Sequence, residues 1–183
     1  MSDFLYELSW KAAFKAYTLK QFCKDSIVPF FLTMVCMLLS LVQKTLSLSE
    51  IIVKVCDLMI ALLPAFISIL IAAFAIWISF FLSNTIDFIK DSDNGKILLN
   101  ELNAPFLIEI SFSIIGMLFT LYVLLVTEMS FTIVEFVADI INIGVLFLLL
   151  FACFAVIWWL IYIAKNLHNI AKFTILYEGI GKS

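Results

Sequence analysis

LMIALLPAFISILIAAFAIWISFFLSNTI, from Leu58 to Ile86, is the stretch that decides the fold: 29 residues without a formal charge, closed at either end by Asp57 and Asp87. A bilayer's hydrocarbon core takes roughly 20 apolar helical residues. At about 1.5 Å per residue this run makes a helix of roughly 43 Å, enough to cross with turns to spare. Pro64 lies about two turns in, where a missing backbone hydrogen bond predicts a kink.

The composition agrees. Of 183 residues, 64% are hydrophobic and 14% charged, and the mean hydropathy is +1.16. Soluble domains run at about 45–50% apolar and about 25% charged, so lipid is the solvent for this chain. All eleven basic residues are lysine. Without guanidinium forks, direct nucleic-acid binding is not expected. The four cysteines, Cys23, Cys36, Cys56 and Cys153, lie in or beside apolar runs and lack a CxxC spacing. They read as reduced, packed thiols, with Cys56 alone placed to meet an oxidising compartment.

Working outward, the expected fold is all-α: a polytopic membrane protein, a bundle of four transmembrane helices over residues 26–165. The spans are expected at about 26–43, 58–86, 104–127 and 140–164, with helix over 48–55 leading into the second. Residues 1–25 form an N-terminal cytoplasmic or interfacial helix, and 166–183 a cytoplasmic C-terminal tail, flexible from Glu178. The third span starts with Asn103 as N-cap and Pro105 just inside, after a polar loop in which Asn94-Gly95 is a turn signal. The loop places Gly95 and Glu101 at EF-hand spacing, but Lys90 in the first ligand position excludes calcium. The fourth span ends in Trp158, Trp159 and Tyr162 beside Lys165, an aromatic belt. Placing both termini inside puts nine lysines on the inner side and only Lys44 and Lys54 outside, so the positive-inside rule expects both ends in the cytoplasm.

Few residues carry chemistry. Nucleophile triads, glycine-rich phosphate loops and zinc spacings are absent, so the chain reads as non-enzymatic, with no cofactor and no metal. His168 stands alone. Glu109 is the carboxylate well inside a span, and intramembrane acids mark a pathway or a pairing. Its place about a turn past Pro105 suggests the plainer role of an acid at a helix start, within reach of water, with Lys90 or Lys96 as partner. Asp57 and Asp139, at the starts of the second and fourth spans, read as helix-dipole partners, or else as an acidic ring at the mouth of an oligomer. Ser68, Ser79, Ser111, Ser113, Thr120 and Asn142 suit helix packing or a wet path.

Two apolar surfaces call for cover. On the N-terminal segment Tyr6, Trp10, Phe14 and Tyr17 share one side, and Phe4, Leu5, Leu8, Ala12, Leu19 and Phe22 another. This suits either a helix lying in the inner leaflet or one packed between the bundle and a partner. Beyond Lys165, Leu167, Ile170, Ala171, Thr174 and Tyr177 follow i, i+3, i+4 spacing, so the fourth helix continues with an apolar face. That face is covered by the N-terminal helix, a second protomer or a soluble partner.

In size and span count this layout looks like the membrane subunit of the Kiwa anti-phage defence system. The resemblance rests on layout, so no site residue transfers from it. It implies a homo-oligomeric inner-membrane sensor or effector that holds a cytoplasmic effector protein. Immunity proteins against pore-forming colicins share the length and span number and give a second expectation. A small oligomeric ion channel or transporter subunit is a third.

Overall fold

The computed structural model describes residues 15, 17–43, 45–81, 93–127, 129 and 135–180, without the side chains of 80–81, 93–103, 135–136, 166, 169–171 and 173–180. The described residues are all-helical, with no strand. We number the helices α1 (Leu19–Asp25), α2 (Ile27–Val42), α3 (Leu48–Phe81), α4 (Asp93–Thr127) and α5 (Glu135–Ile180). The apolar stretches Leu48–Ser79, Ala104–Thr127 and Val137–Lys165 are each long enough to cross a bilayer. At 16 residues, α2 is about 24 Å long, short of a hydrocarbon core of about 30 Å. It passes the same test only together with α1, to which it is joined at a 46° bend. The described chain thus holds three to four potential spans.

Local chemistry explains the helix starts. Thr18 caps α1 in a capping box: its hydroxyl accepts the Gln21 N–H at 3.3 Å, and Gln21 Oε1 accepts the Thr18 N–H at 2.8 Å. A second box opens α3, where the Ser47 N–H donates to Glu50 Oε2 at 2.7 Å and the Glu50 N–H donates to Ser47 Oγ at 3.3 Å. Pro29 sits in the first turn of α2, where an intrahelical N–H bond is not needed. The expected helix over 48–55 is present and is continuous with the long span. That continuity leaves only a short turn after α2. In it the Gln43 amide donates to the Leu46 carbonyl at 2.9 Å.

Four expectations change. Asn103 does not cap a helix and Pro105 does not begin one, because α4 already runs from Asp93 through both. Asn94-Gly95, read as a turn, lies in the first turn of that helix. Asp57, read as a helix-dipole partner, is the tenth residue of α3, beyond the first turn where the dipole acts, and Asp139 is the fifth of α5. Residues 178–180, expected to be flexible, close α5. Lys54 and Asp57 are both exposed on the outer side of α3, where a charge does not interrupt a helix.

The helices alternate in direction. Thr120 meets Met59 and Phe106 stacks on Trp77, so numbers rise on α4 as they fall on α3. Phe22 meets Trp159 and Phe30 meets Phe147 in the same reversed order. α3, α4 and α5 pack on one another, and α2 lies mainly against α5. The buried positions of α3 are Ile52, Cys56, Met59, Leu63, Leu70, Ala73 and Trp77. With half-buried Phe66 they step alternately by four and three residues, the spacing that keeps one seam facing its neighbours. Ile52 to Leu63 join Val123, Leu146, Leu149 and Val156 in one cluster. Leu70, Ala73 and Trp77 join Phe106, Ile110 and Ile163 in another, towards the opposite end of the bundle. Outside, Leu38, Ile69, Leu118, Leu125 and Ile161 are exposed, as expected of a surface solvated by lipid.

Candidate functional site

The second cluster borders a cleft where the α1–α2 elbow, the upper half of α4 and the end of the apolar part of α5 meet. The elbow contributes Asp25, and the chain just before α1 contributes Tyr17. α4 contributes Pro105, Ile108 and Glu109, and α5 contributes Trp159 and Tyr162. About 250 Å³ of space lies between these atoms, including space open to the outside. Room remains inside for about one water-sized group.

Each wall is held by packing. The Trp159 ring is clasped between Phe112, with centroids 4.8 Å apart at 70°, and Phe22, 5.8 Å away at 63°. Both are edge-on contacts of the kind aromatic pairs prefer. Phe22 therefore docks α1 onto α5, and this fixes the elbow. The Tyr17 hydroxyl donates to Asp25 Oδ2 at 2.8 Å. Burial first, then this hydrogen bond, then the charges of Asp25 and Glu109, push the Tyr17 phenol above its ordinary range. Tyr17 therefore stays protonated and remains a donor. Asp25 has one strong partner as a result.

Glu109 has none. It is 2% exposed, and neither carboxylate oxygen has a hydrogen-bond partner among the described residues. The expected reach to water from a helix start is corrected here: Glu109 is the seventeenth residue of α4, well beyond the first turn in which the helix dipole acts. Lys96 lies 13 residues earlier on the same helix, about 20 Å along its axis, too far to pair with it. Lys90 lies outside the described residues. An ion in such a place costs several kcal/mol unless a counter-charge or hydrogen bonds meet it. One turn further on, Ser113 is also fully buried, with no partner for its hydroxyl among the described residues. Thr120 completes this side of α4. Its hydroxyl donates to the Gly116 carbonyl at 2.8 Å and lies 3.6 Å from Met59 Sδ.

The remaining sequence candidates scatter. Ser68, Ser79 and Ser111 bond back to carbonyls four residues earlier on their own helices, the local alternative to bridging. Asp57 and Asp139 are exposed, far along the chain from the cleft. At the tenth position of α3, Asp57 is also past the reach of the helix dipole. Leu167 is half-buried and packs on the Leu70 and Trp77 cluster, so part of the stripe beyond Lys165 is covered from within the chain. Ile170, Ala171, Thr174 and Tyr177 lie on α5, with side chains outside the described set, and Trp10 and Phe14 lie outside the described residues. Sequence reading singled out Glu109 and Tyr17 separately and missed Asp25 and Trp159. Trp159, read as part of an interfacial aromatic belt, is 5% exposed. Nothing in the spacing of residues 17, 25, 109 and 159 joins them; tertiary packing does.

Fold and cleft together define a helical membrane protein with a small acidic, aromatic-walled recess at one end of its bundle. No protein-family model, curated protein or solved structure matches the chain.

Proposed function

We propose that this chain is a non-enzymatic inner-membrane component of a bacterial anti-phage defence system. It crosses the membrane four times with both termini in the cytoplasm. It assembles as a homo-oligomer and passes a membrane signal to a docked cytoplasmic effector. The observation that carries the reading is the length of α5. The helix continues unbroken for 15 residues beyond Lys165, from Asn166 to Ile180, about 22 Å past the apolar segment. α4 begins 11 residues before its own apolar segment, at the same end of the bundle. Two helices rooted in the membrane core thus project together, which suits mechanical or positional coupling to a soluble partner. The layout shared with the Kiwa membrane subunit points the same way.

The test is plaque formation on cells carrying the gene with its native neighbours. Full-length protein is compared with variants lacking residues 1–25 or 166–183. Loss of protection in the truncated forms, at unchanged membrane abundance, supports the reading; undiminished protection sinks it. A transporter or channel subunit is the second reading, favoured by the buried, unpartnered Glu109. It expects Glu109→Gln to change ion flux in reconstituted vesicles, and an unchanged flux removes it.

A further inference from the structure

We propose that the cleft between the α1–α2 elbow, α4 and α5 binds a primary ammonium group, and that its resident ligand is the headgroup of an ethanolamine phospholipid. The site stands whether or not the chain serves in defence.

Three observations converge. The first is charge. Among the described residues the lining includes two carboxylates, Asp25 and Glu109, and no cationic side chain. Asp25 is met by the Tyr17 hydroxyl. Glu109 is buried to 2% exposure and lines the cleft with both oxygens unpartnered among the described residues. A cation with N–H donors supplies what this carboxylate lacks, since hydrogen bonds to an ionised group are about twice as strong as neutral ones. The second is the wall. Tyr17, Trp159 and Tyr162 surround the same space, and aromatic rings attract ammonium groups through their quadrupoles. The third is size. Room for about one water-sized group admits an ammonium head and excludes a trimethylammonium head or a guanidinium.

The position favours a lipid as the source. The cleft lies at the end of the bundle where the apolar run of α5 gives way to Lys165, the level at which headgroups sit, and it is open on one side. An ethanolamine headgroup supplies the N–H donors that Glu109 lacks, while its phosphate, two carbons from the ammonium, stays at the open mouth of the cleft.

The decisive experiment is native mass spectrometry of the full-length protein in detergent, with equimolar dioleoyl phosphatidylethanolamine and dioleoyl phosphatidylcholine. The expected result is about tenfold preferential retention of the ethanolamine lipid, the discrimination of a charge-assisted hydrogen bond that a trimethylammonium head cannot donate, abolished in Glu109→Gln, which keeps side-chain volume and removes the charge. Asp25→Asn reduces the preference and serves as the second variant if Glu109→Gln fails to fold. A parallel thermal-stability arm compares ethylammonium with tetramethylammonium chloride. Stabilisation by ethylammonium alone, lost in Glu109→Gln but without lipid preference, retains the ammonium site and assigns it to a free amine. Equal retention of both lipids together with equal response to both salts overturns the proposal, as does a lipid preference that survives both variants.

Discussion

Cys56 has no exposed surface, whereas Cys23 on α1 is exposed. This inverts the expectation that Cys56 would be the thiol open to an oxidising compartment. Asp57, the next residue, is exposed, while Cys56 belongs to the buried seam of the same helix. A water-soluble maleimide, with site occupancy read by peptide mass spectrometry, should modify Cys23 in folded protein and Cys56 only after denaturation. Equal labelling before denaturation would show that the seam of α3 is wrongly placed. Tyr17 gives a second test at this scale. Removing its hydroxyl in Tyr17→Phe leaves half-buried Asp25 without its donor and should cost about 1–2 kcal/mol in a detergent melt. The sign of the pH dependence follows from the raised phenol. A tyrosine held above its ordinary value of 10.0 in the folded state contributes its full stability below that value. The contribution declines as pH rises further. Wild type should therefore lose its advantage over Tyr17→Phe above about pH 10, and an advantage that grows with pH would contradict the assignment. Glu109 was legible because a lone acid in an apolar run is conspicuous. Its partners were not, because Asp25 carries no motif and Trp159 had a sufficient local explanation as part of an aromatic belt.

The starts of α1 and α3 each rest on a capping box, and both were written in the sequence as Thr18-x-x-Gln21 and Ser47-x-x-Glu50. Ser47→Ala removes one half of the second box and should destabilise the folded protein by about 1 kcal/mol. Ser47→Asp keeps an acceptor there and should restore most of that stability. If the two variants melt alike, the hydroxyl does not hold the start of α3. The start of α4 was misread for an instructive reason. Asn103 and Pro105 match a helix opening closely, and Asn94-Gly95 matches a turn, yet Ile97, Leu98, Leu99 and Leu102 carry an apolar pattern through the interval. A proline inside a helix is tolerated where surrounding structure compensates for the lost bond, and Pro105 sits against the cleft with Tyr17 and Tyr162. The seam of α3 was hidden in another way. In water, buried and exposed faces differ in hydrophobicity, so a period appears. Here the outward positions Leu58, Ile69, Ile71 and Ile76 are as apolar as the inward ones. Hydrophobicity therefore marks the spans and says nothing about which way each faces.

At the scale of the molecule, the open question of span number has a topological consequence. α3, α4 and α5 are each long and apolar enough to cross a bilayer; three crossings would place the turn before α3 and the end of α5 on opposite sides. The N-terminus then depends on α2 alone. If α1 and α2 form one bent span, the N-terminus joins the C-terminus; if α2 lies along the interface, the two ends part. The structure gives physical grounds for the bent span. α2 packs along α5 in reversed direction, Phe30 meets Phe147 deep in the apolar run of α5, and Met37 belongs to the central cluster. A helix restricted to the interface would reach neither. The lysine distribution favours the same arrangement: a bent span with both ends inside leaves only Lys44 and Lys54 outside, whereas three spans with the C-terminus inside also leave Lys11, Lys15, Lys20 and Lys24 there. Single cysteines at positions 2, 45 and 183 in a background without native cysteines, probed with an impermeant maleimide on intact cells, decide the matter. Labelling at 45 alone is the expected outcome. Labelling at both 2 and 45 means three spans, with α2 bound to the bundle but not across the membrane. In that case residues 1–25 lie on the opposite side from the projecting end of α5, and a cytoplasmic partner could engage α5 but not the N-terminal segment.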